Sequence, residues 1–334
     1  MKQIAILYDS VPEGNPLTAA LGRASGAAVE AFGMWFPARR TAFWRYCVQT
    51  PLMALFPLGM LSRLSRFDAV YCWQQNFGIV LGFVIRLFRL KVGTDLHVLT
   101  FIAAGSRRRR PLRGLISYAL GCTAIKTVVC YSEAELKLYR ETFPAVADKF
   151  RVTVLVEETP HDGIEMEDRG YFLAAGRENR DYDFLVSYFE QRPDERLVVV
   201  CDTVASSMAP NIDIRAATYG RDYVDLVAKC HAVVFAFRDP AISSGQLVFQ
   251  LALALGKPVI ATASGCLEGY LVPGENGLEI SKDVTALDAA IAVLRDPTAW
   301  RRIAAAAMAD HAARFTMDSF AERIIAITAR EEVG

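Results

Sequence analysis

Apolar residues in this chain fall into short runs separated by polar, Gly- and Pro-bearing stretches. Ile4–Tyr8, Asp68–Cys72, His97–Phe101, Thr127–Tyr131, Tyr171–Ala175, Arg196–Cys201 and Ala232–Phe237 are rich in Val, Ile, Tyr and Phe, which predicts buried strands. Val29–Gly33 and Ile212–Ile214 predict two shorter ones. Between them lie helical stretches. Pro16–Ala24 opens with Pro at a first helical position. Ser132 caps a helix that ends near Phe143-Pro144. Further helices are predicted from Asp181 to Gln191, over Asp222–Cys230 and over Trp300–Phe315. Strand and helix in alternation predict an α/β protein with parallel sheets. The alternation pauses at 150–170, where Val152–Val156 gives way to an acidic stretch with Pro160 and Gly163, and this reads as a hinge. The expected domains are therefore 1–152 and 153–315, with a closing helix over 316–334 placed to cross back to the first.

One stretch organises the rest, Ala241–Thr262. Ser243-Ser244-Gly245-Gln246 is small and polar, Leu247–Leu255 is apolar on nearly every side, Gly256-Lys257-Pro258 stops the helix, and Val259-Ile260-Ala261 resumes as a strand. A polar turn opening a buried helix leaves backbone N–H groups pointing outward, and the helix dipole behind them favours an anion such as phosphate. In open α/β sheets ligands sit beyond the carboxyl ends of the strands. An ordinary βαβ crossover with a Ser-capped helix fits the same residues. Near the N-terminus, the loop Asp9–Asn15 carries Pro12 and Gly14 between a strand and a helix, as a Rossmann-like half does. It is not G-x-G-x-x-G, so a dinucleotide fingerprint is absent.

Composition adds limits. With 334 residues and 53% apolar content the chain can build two cores. The longest apolar run, Pro51–Leu61, holds Pro57 and Gly59 and falls short of the ~18–20 residues of a membrane span. Met1-Lys2-Gln3 leads straight into a strand, without a secretory pattern, and seven scattered cysteines lack any C-x-x-C. Reduced thiols, a cytoplasmic location and no metal site are expected. Net charge is zero, yet residues 1–150 hold 19 Lys+Arg against 9 Asp+Glu, and the remainder 18 against 28. Within 36–67, Phe36, Phe43, Trp44, Tyr46 and Phe56 mix with Arg39, Arg40, Arg45, Arg63 and Arg66, and Val80–Lys91 repeats the theme. Aromatic and basic neighbours suit an anionic membrane surface. A helix packed on its own domain with arginines reaching to water is the alternative. Arg107, Arg108, Arg109 and Arg110 form either a solvated tip or a lipid or acceptor-phosphate contact. Nucleic acid is disfavoured because the rest of the chain is not basic. The membrane-facing candidates are thus Arg39, Arg40, Trp44, Arg45 and Arg107 to Arg110.

Several segments together resemble the large group 1 family of nucleotide-sugar-dependent glycosyltransferases, best over roughly 170–315. Leu173-Ala174-Ala175-Gly176-Arg177 resembles that family's strand followed by Gly-Arg, and Arg180 falls where it usually has Lys. Leu253–Ile260 resembles its helix-end signature, and Glu275-Asn276-Gly277-Leu278 the loop after the next helix. The resemblance implies two Rossmann-like domains facing across a cleft, the GT-B fold, and a nucleotide-diphosphate sugar as donor substrate with no further cofactor. The two glutamates common in the family fall on Ser243 and Leu251 here, and Ser-Ser-Gly-Gln stands in the first region. Leu251 cannot bind a ribose as the second glutamate would; Gln250 beside it is the weak substitute.

On this likeness, Arg177, Arg180, Ser243, Ser244, Gly245 and Gln246 would hold the donor diphosphate, whose charge grows in the transition state. Surface loop charges and a plain helix cap are the bland readings. Tyr219, Gly220 and Gln250 are the nucleoside-side candidates, and Gly14 and Asn15 the candidates for the first domain's cleft loop. Asp181-Tyr182-Asp183 opens a helix and reads as structural. No general base is apparent among His97, His161, His231 and His311; the family likeness implies retention of configuration. The expected activity is transfer of a sugar to a lipid-linked glycan or surface-polysaccharide precursor at the cytoplasmic face of a membrane. A nucleotide-sugar epimerase or a non-catalytic scaffold on the same fold are the rivals.

Overall fold

The computed structural model describes residues 2–10, 14–34, 50–102, 110–157, 161, 163–204, 207–216, 218–240 and 244–329. The chain divides into two units, Met1–Thr153 with Met317–Gly334, and Val154–Thr316.

The first unit is built on six parallel strands: β1 (Gln3–Tyr8), β2 (Ala28–Gly33), β3 (Ala69–Gln74), β4 (Asp95–Thr100), β5 (Ile125–Cys130) and β6 (Phe150–Val152). They lie in the order β2-β1-β3-β4-β5-β6. The central strands are buried on both faces, which is why their sequences read as continuous apolar runs. Helices α1 (Pro16–Ser25), α2 (Thr50–Leu55), α3 (Gln75–Leu87), α4 (Arg110–Leu120) and α5 (Glu133–Thr142) accompany them. Gly78 and Gly82 let α3 lie close: a Cβ would collide with Val98 Cγ2 at the first and meet the Ala119 carbonyl oxygen at 2.6 Å from the second.

The second unit repeats the plan with β7 (Tyr171–Ala175), β8 (Arg196–Val200), β9 (Ile212–Arg215), β10 (Ala232–Phe235), β11 (Val259–Thr262) and β12 (Leu278–Ile280). Its helices are α6 (Tyr182–Glu190), α7 (Gly220–Lys229), α8 (Gln246–Ala254), α9 (Val284–Arg295) and α10 (Pro297–Arg314). The strand order is β12-β11-β10-β7-β8-β9, all parallel, so the winding reverses between β7 and β10. Numbered from β7, that is the order of a doubly wound dinucleotide-type sheet. The last helix, α11 (Met317–Thr328), belongs to the first unit. There it packs on α1, with Arg23 Nε donating to Asp318 Oδ1 at 2.9 Å, and Tyr71 and Thr328 sharing a buried hydroxyl contact of 2.8 Å.

Some local readings change. Gln74 ends β3 and Gln75 begins α3, with no loop between strand and helix. Their amides serve other loops. Gln74 Nε2 donates to Asp9 Oδ2 at 2.8 Å, and the Gln75 side chain both donates to the Ile102 carbonyl (2.9 Å) and accepts from its N–H (3.0 Å). Val80–Lys91 is mostly a packed helix with Leu81 and Ile85 buried, while Leu87, Phe88 and Leu90 at its end are exposed. The entry into the second unit is held by side chains. Gln250 Nε2 donates to the Leu155 carbonyl (2.8 Å) and Gln250 Oε1 accepts from Glu157 N (3.3 Å). Lys257, buried, donates to the Glu167 carbonyl at 2.8 Å, and burial lowers its pKa. Cys72, Cys122, Cys130, Cys201 and Cys230 are free thiols. No helix among the described residues is long and apolar enough to cross a membrane.

His97 lies inside the first sheet, stacked on Tyr71 with ring centroids 4.9 Å apart, and its Nδ1 is buried with no partner among the described residues. Burial pushes its pKa down to about 4; Lys126 adds to that, and Asp95 opposes it. The folded chain therefore binds this proton more weakly than the unfolded chain, and stability falls as pH drops from about 6.5 towards 4. Over that window the loss should approach about 3 kcal/mol, at roughly 1.4 kcal/mol per pH unit. Denaturant melts of wild type and His97→Phe at pH 7 and pH 4.5 should show a smaller acid penalty in the variant.

Candidate functional site

The two strands at the reversal, β7 and β10, end side by side. The chain leaves β7 through Gly176, whose φ of 108° suits glycine, and folds over the end of β10. Asp181 N donates to the Ala236 carbonyl at 2.8 Å, and Arg180 forms an isolated antiparallel bridge with Phe237. Asn179, in the left-handed region at φ 58°, locks the turn by donating to the Asp239 carbonyl (2.7 Å) and accepting from Asp239 N (2.8 Å).

This turn buries Arg180, which is only 5% exposed. Its Nε donates to the Ala175 carbonyl at 3.0 Å, and its Nη1 to the Glu178 carbonyl at 2.8 Å and to Ser244 Oγ at 3.2 Å. The guanidinium carbon lies 4.9 Å from the Phe235 ring centroid and 5.3 Å from that of Phe237, and those rings stack on each other. Carbonyls, a hydroxyl and ring faces orient this cation. A desolvated cation–π contact is worth about 2 kcal/mol. The Nη2 edge is flanked by glycines: a Cβ would lie 3.0 Å from it at Gly176 and 3.1 Å at Gly245.

Gly245 caps α8 with φ 95° and no side-chain capping bond. The first amides of a helix have no acceptor within it, so a positive helix end opens beside a positive side chain. Arg180, Ser244, Gly245 and Gln246 are thus brought together, with Ser244 and Gln246 buried. Ser243 lies outside the described residues.

Arg177 goes the other way, towards β8. Its Nε donates to Asp202 Oδ1 at 2.6 Å and its Nη2 pairs with Asp202 Oδ2. Asp202, and to a lesser extent Tyr219, strengthens its hold on its proton. Tyr219 precedes α7 and is exposed, and Gly220 starts that helix at φ 58°. The two arginines therefore flank the end of β7 on opposite sides. Asp202 is legible in the sequence only as a loop carboxylate.

The other candidates sort by partner. Both ends of the Gln250 amide are engaged by residues 155 and 157. Leu251 is buried. Asp181 caps α6 and accepts from Lys282, while Asp183 pairs with Arg238. In the first unit Asn15 caps α1 by accepting from Leu17 N at 3.0 Å, and Gly14 has φ 75°. Both line an open cavity of ≈ 530 Å³ with Thr18, Gly22 and Val29. Arg39, Arg40, Trp44, Arg45, Arg107, Arg108 and Arg109 lie outside the described residues, and Arg110 is the first residue of α4.

One residue was not singled out from the sequence. The Tyr223 hydroxyl is buried and has no partner among the described residues, and it lies within the electrostatic reach of Arg180. Burial raises its pKa. A tyrosine in an amphipathic helix looks like any core aromatic, so no sequence signal marks it.

The glycosyl transferase-like family model matches residues 177–326. No curated protein sequence matches the chain. Among solved structures, it is similar to sucrose-phosphate synthase from Thermosynechococcus elongatus, at 16% identity, 97% coverage of each chain and a TM-score of 0.66. It is similar also to HepE from Anabaena in complex with UDP-glucose, at 16% identity, covering 98% of this chain and 99% of that one, with a TM-score of 0.64. The catalytic domain of starch synthase IV from Arabidopsis thaliana, bound to ADP and acarbose, is 12% identical over 98% of each chain, with a TM-score of 0.67. The shared fold is GT-B.

Gly245→Ala tests how tightly the site is built. Its methyl would sit 3.1 Å from Arg180 Nη2, at a φ of 95°. Left-handed backbone costs an L-residue roughly 1–2 kcal/mol. Thermal melts should show a loss of that size, whereas Gly114→Ala, with nothing within 4 Å, should not.

Proposed function

We propose that this GT-B glycosyltransferase moves a sugar from a nucleotide-diphosphate sugar to a lipid-linked glycan or surface-polysaccharide precursor, with retention of configuration. The observation that carries the donor half is the Arg180 seat, a buried, oriented cation beside the N-terminus of α8, at the reversal of a doubly wound sheet. As the sugar departs, negative charge builds on the diphosphate. A cation and helix amides fixed before the reaction need no reorganisation at that moment, which favours the transition state over the ground state. Ser244 and Gln246 join this seat, Gly245 admits the phosphate closely, Arg177 meets the diphosphate from the β8 side, and Ser243 is assigned a role as a further hydrogen-bond donor to it on the sequence alone. Tyr219 and Gly220 then fall towards the nucleoside. With Leu251 buried and Gln250 engaged, the ribose contact passes to other residues. HepE was crystallised with UDP-glucose and starch synthase IV with ADP, which makes uridine and adenine nucleotides the first to try.

A membrane-borne acceptor is supported by the surface of the first unit. Leu87, Phe88 and Leu90 at the end of α3, and Leu112, Leu115 and Tyr118 on α4, are large apolar residues left exposed. Arg86, stacked 4.5 Å from the Tyr118 ring centroid, joins the two helices, and Arg89, Lys91 and Arg113 are exposed nearby in the chain. Apolar side chains among cations match the interface of an anionic bilayer.

Thermal-shift titration with UDP, GDP, dTDP, ADP and their sugars should raise Tm for at least one. Arg180→Lys should weaken that ligand at least tenfold while the protein stays folded. The donor reading fails if none binds wild type. Separately, co-sedimentation with phosphatidylglycerol vesicles should exceed that with phosphatidylcholine and fall in Phe88→Asp/Leu115→Asp; equal binding to both vesicles ends the membrane reading alone.

A further inference from the structure

We infer that Asp202 is a positioning residue for transfer, holding Arg177 by one edge of its guanidinium so that the other edge meets the donor diphosphate. The inference rests on the donor reading above. The pair is set by the sheet. Ala175 on β7 is in register with Val200 on β8, and Gly176 N continues the ladder to the Val200 carbonyl at 3.3 Å. Two residues past that register, Arg177 and Asp202 emerge side by side beyond the carboxyl ends of adjacent strands, where open α/β sheets bind ligands.

The contact is two-pronged. Nε meets Oδ1 at 2.6 Å, and Nη2 meets Oδ2. A guanidinium has five N–H groups in a rigid fork, and Asp202 takes one edge. The Nη1 side is not used by Asp202; the Tyr219 side chain also bonds this guanidinium, and a phosphate meeting that side need not displace the carboxylate. The side chains are 59% and 32% exposed, and exposed ion pairs contribute roughly 0–1 kcal/mol to folding. Stability thus gives little reason for the pair, and orientation gives a specific one.

Two effects of opposite sign follow. The carboxylate offsets part of the charge of Arg177, which weakens binding of a free nucleoside diphosphate. It also fixes the fork, which matters most when charge develops in the transition state. Removing the charge should therefore slow turnover without weakening ground-state binding. A fold defect would not produce that split.

The test uses full-length Asp202→Asn, Asp202→Glu and Arg177→Ala. The probes are whichever of UDP, GDP, dTDP and ADP, with its glucose conjugate, binds wild type by calorimetry; if none does, this inference fails with the donor reading. For Asp202→Asn, kcat for hydrolysis or transfer of the conjugate should fall about tenfold, with the diphosphate Kd unchanged or tighter and Tm unchanged. Asp202→Glu should recover part of kcat. Arg177→Ala should lose both binding and turnover. Unchanged kcat in Asp202→Asn, or kcat, Kd and Tm worsening together, would overturn the positioning role. If Arg177→Ala is silent too, Arg177 itself lies outside the donor site, whereas Arg180→Lys still reports on the Arg180 seat.

Discussion

A guanidinium buried at the ends of two parallel strands is expensive unless its donors are met, and the surroundings of Arg180 are arranged around that requirement. Its Nε and Nη1 reach the carbonyls of Ala175 and Glu178 and the hydroxyl of Ser244, and its faces meet Phe235 and Phe237. That packing dictates neighbours. Gly176 and Gly245 are positions where a side chain would press on Nη2, and Asn179 must adopt a left-handed turn to bring the loop back over β10. The small, polar, glycine-bearing composition of the two loops is thus a consequence of one buried charge.

The second constraint is topological. In the second sheet the winding reverses between β7 and β10, so the helices that follow these strands lie on opposite faces and leave an opening above the strand ends. The loop after β7 and the start of α8 both border that opening, which is how residues as distant in sequence as Arg180 and Ser244 come to share a hydrogen bond. The first sheet reverses between β1 and β3. There the loop after β1 is tied to the end of β3 by the Gln74–Asp9 bond, an amide-to-carboxylate contact where the second sheet has a buried cation.

Much of this architecture was legible because parallel strands buried on both faces leave an unbroken apolar signature, and because Gly-Arg and Gly-Lys-Pro-Val mark where strand and helix end. The α/β class and ten of the strands follow from that alternation, whereas β6 and β12, three residues each at sheet edges, are too short to leave that signature. Other features were hidden for a common reason: they depend on partners far along the chain. Gln74 and Gln75 are simply polar residues after an apolar run, yet their amides reach Asp9 and Ile102. Gln250 looked like a substitute ligand, yet its amide receives a segment 95 residues away. Asp202 is unremarkable until β7 and β8 are placed in register. Tyr223 carries a buried hydroxyl that periodicity treats as one more apolar position.

The two arginines show how one residue type serves two electrostatic roles. Arg180 is sealed among rings and carbonyls, so its field acts at low effective dielectric and is little affected by salt. Arg177 stands in solvent with a carboxylate on one edge, so its charge is screened and partly offset, and its value lies in direction. An anion spanning both would feel a strong fixed attraction at one phosphoryl group and a weaker, aimed one at the other. On the donor reading, that inequality is useful. Uniformly strong binding would hold the diphosphate as tightly before and after transfer as during it, whereas a cation that aligns only with developing charge adds more to rate than to affinity.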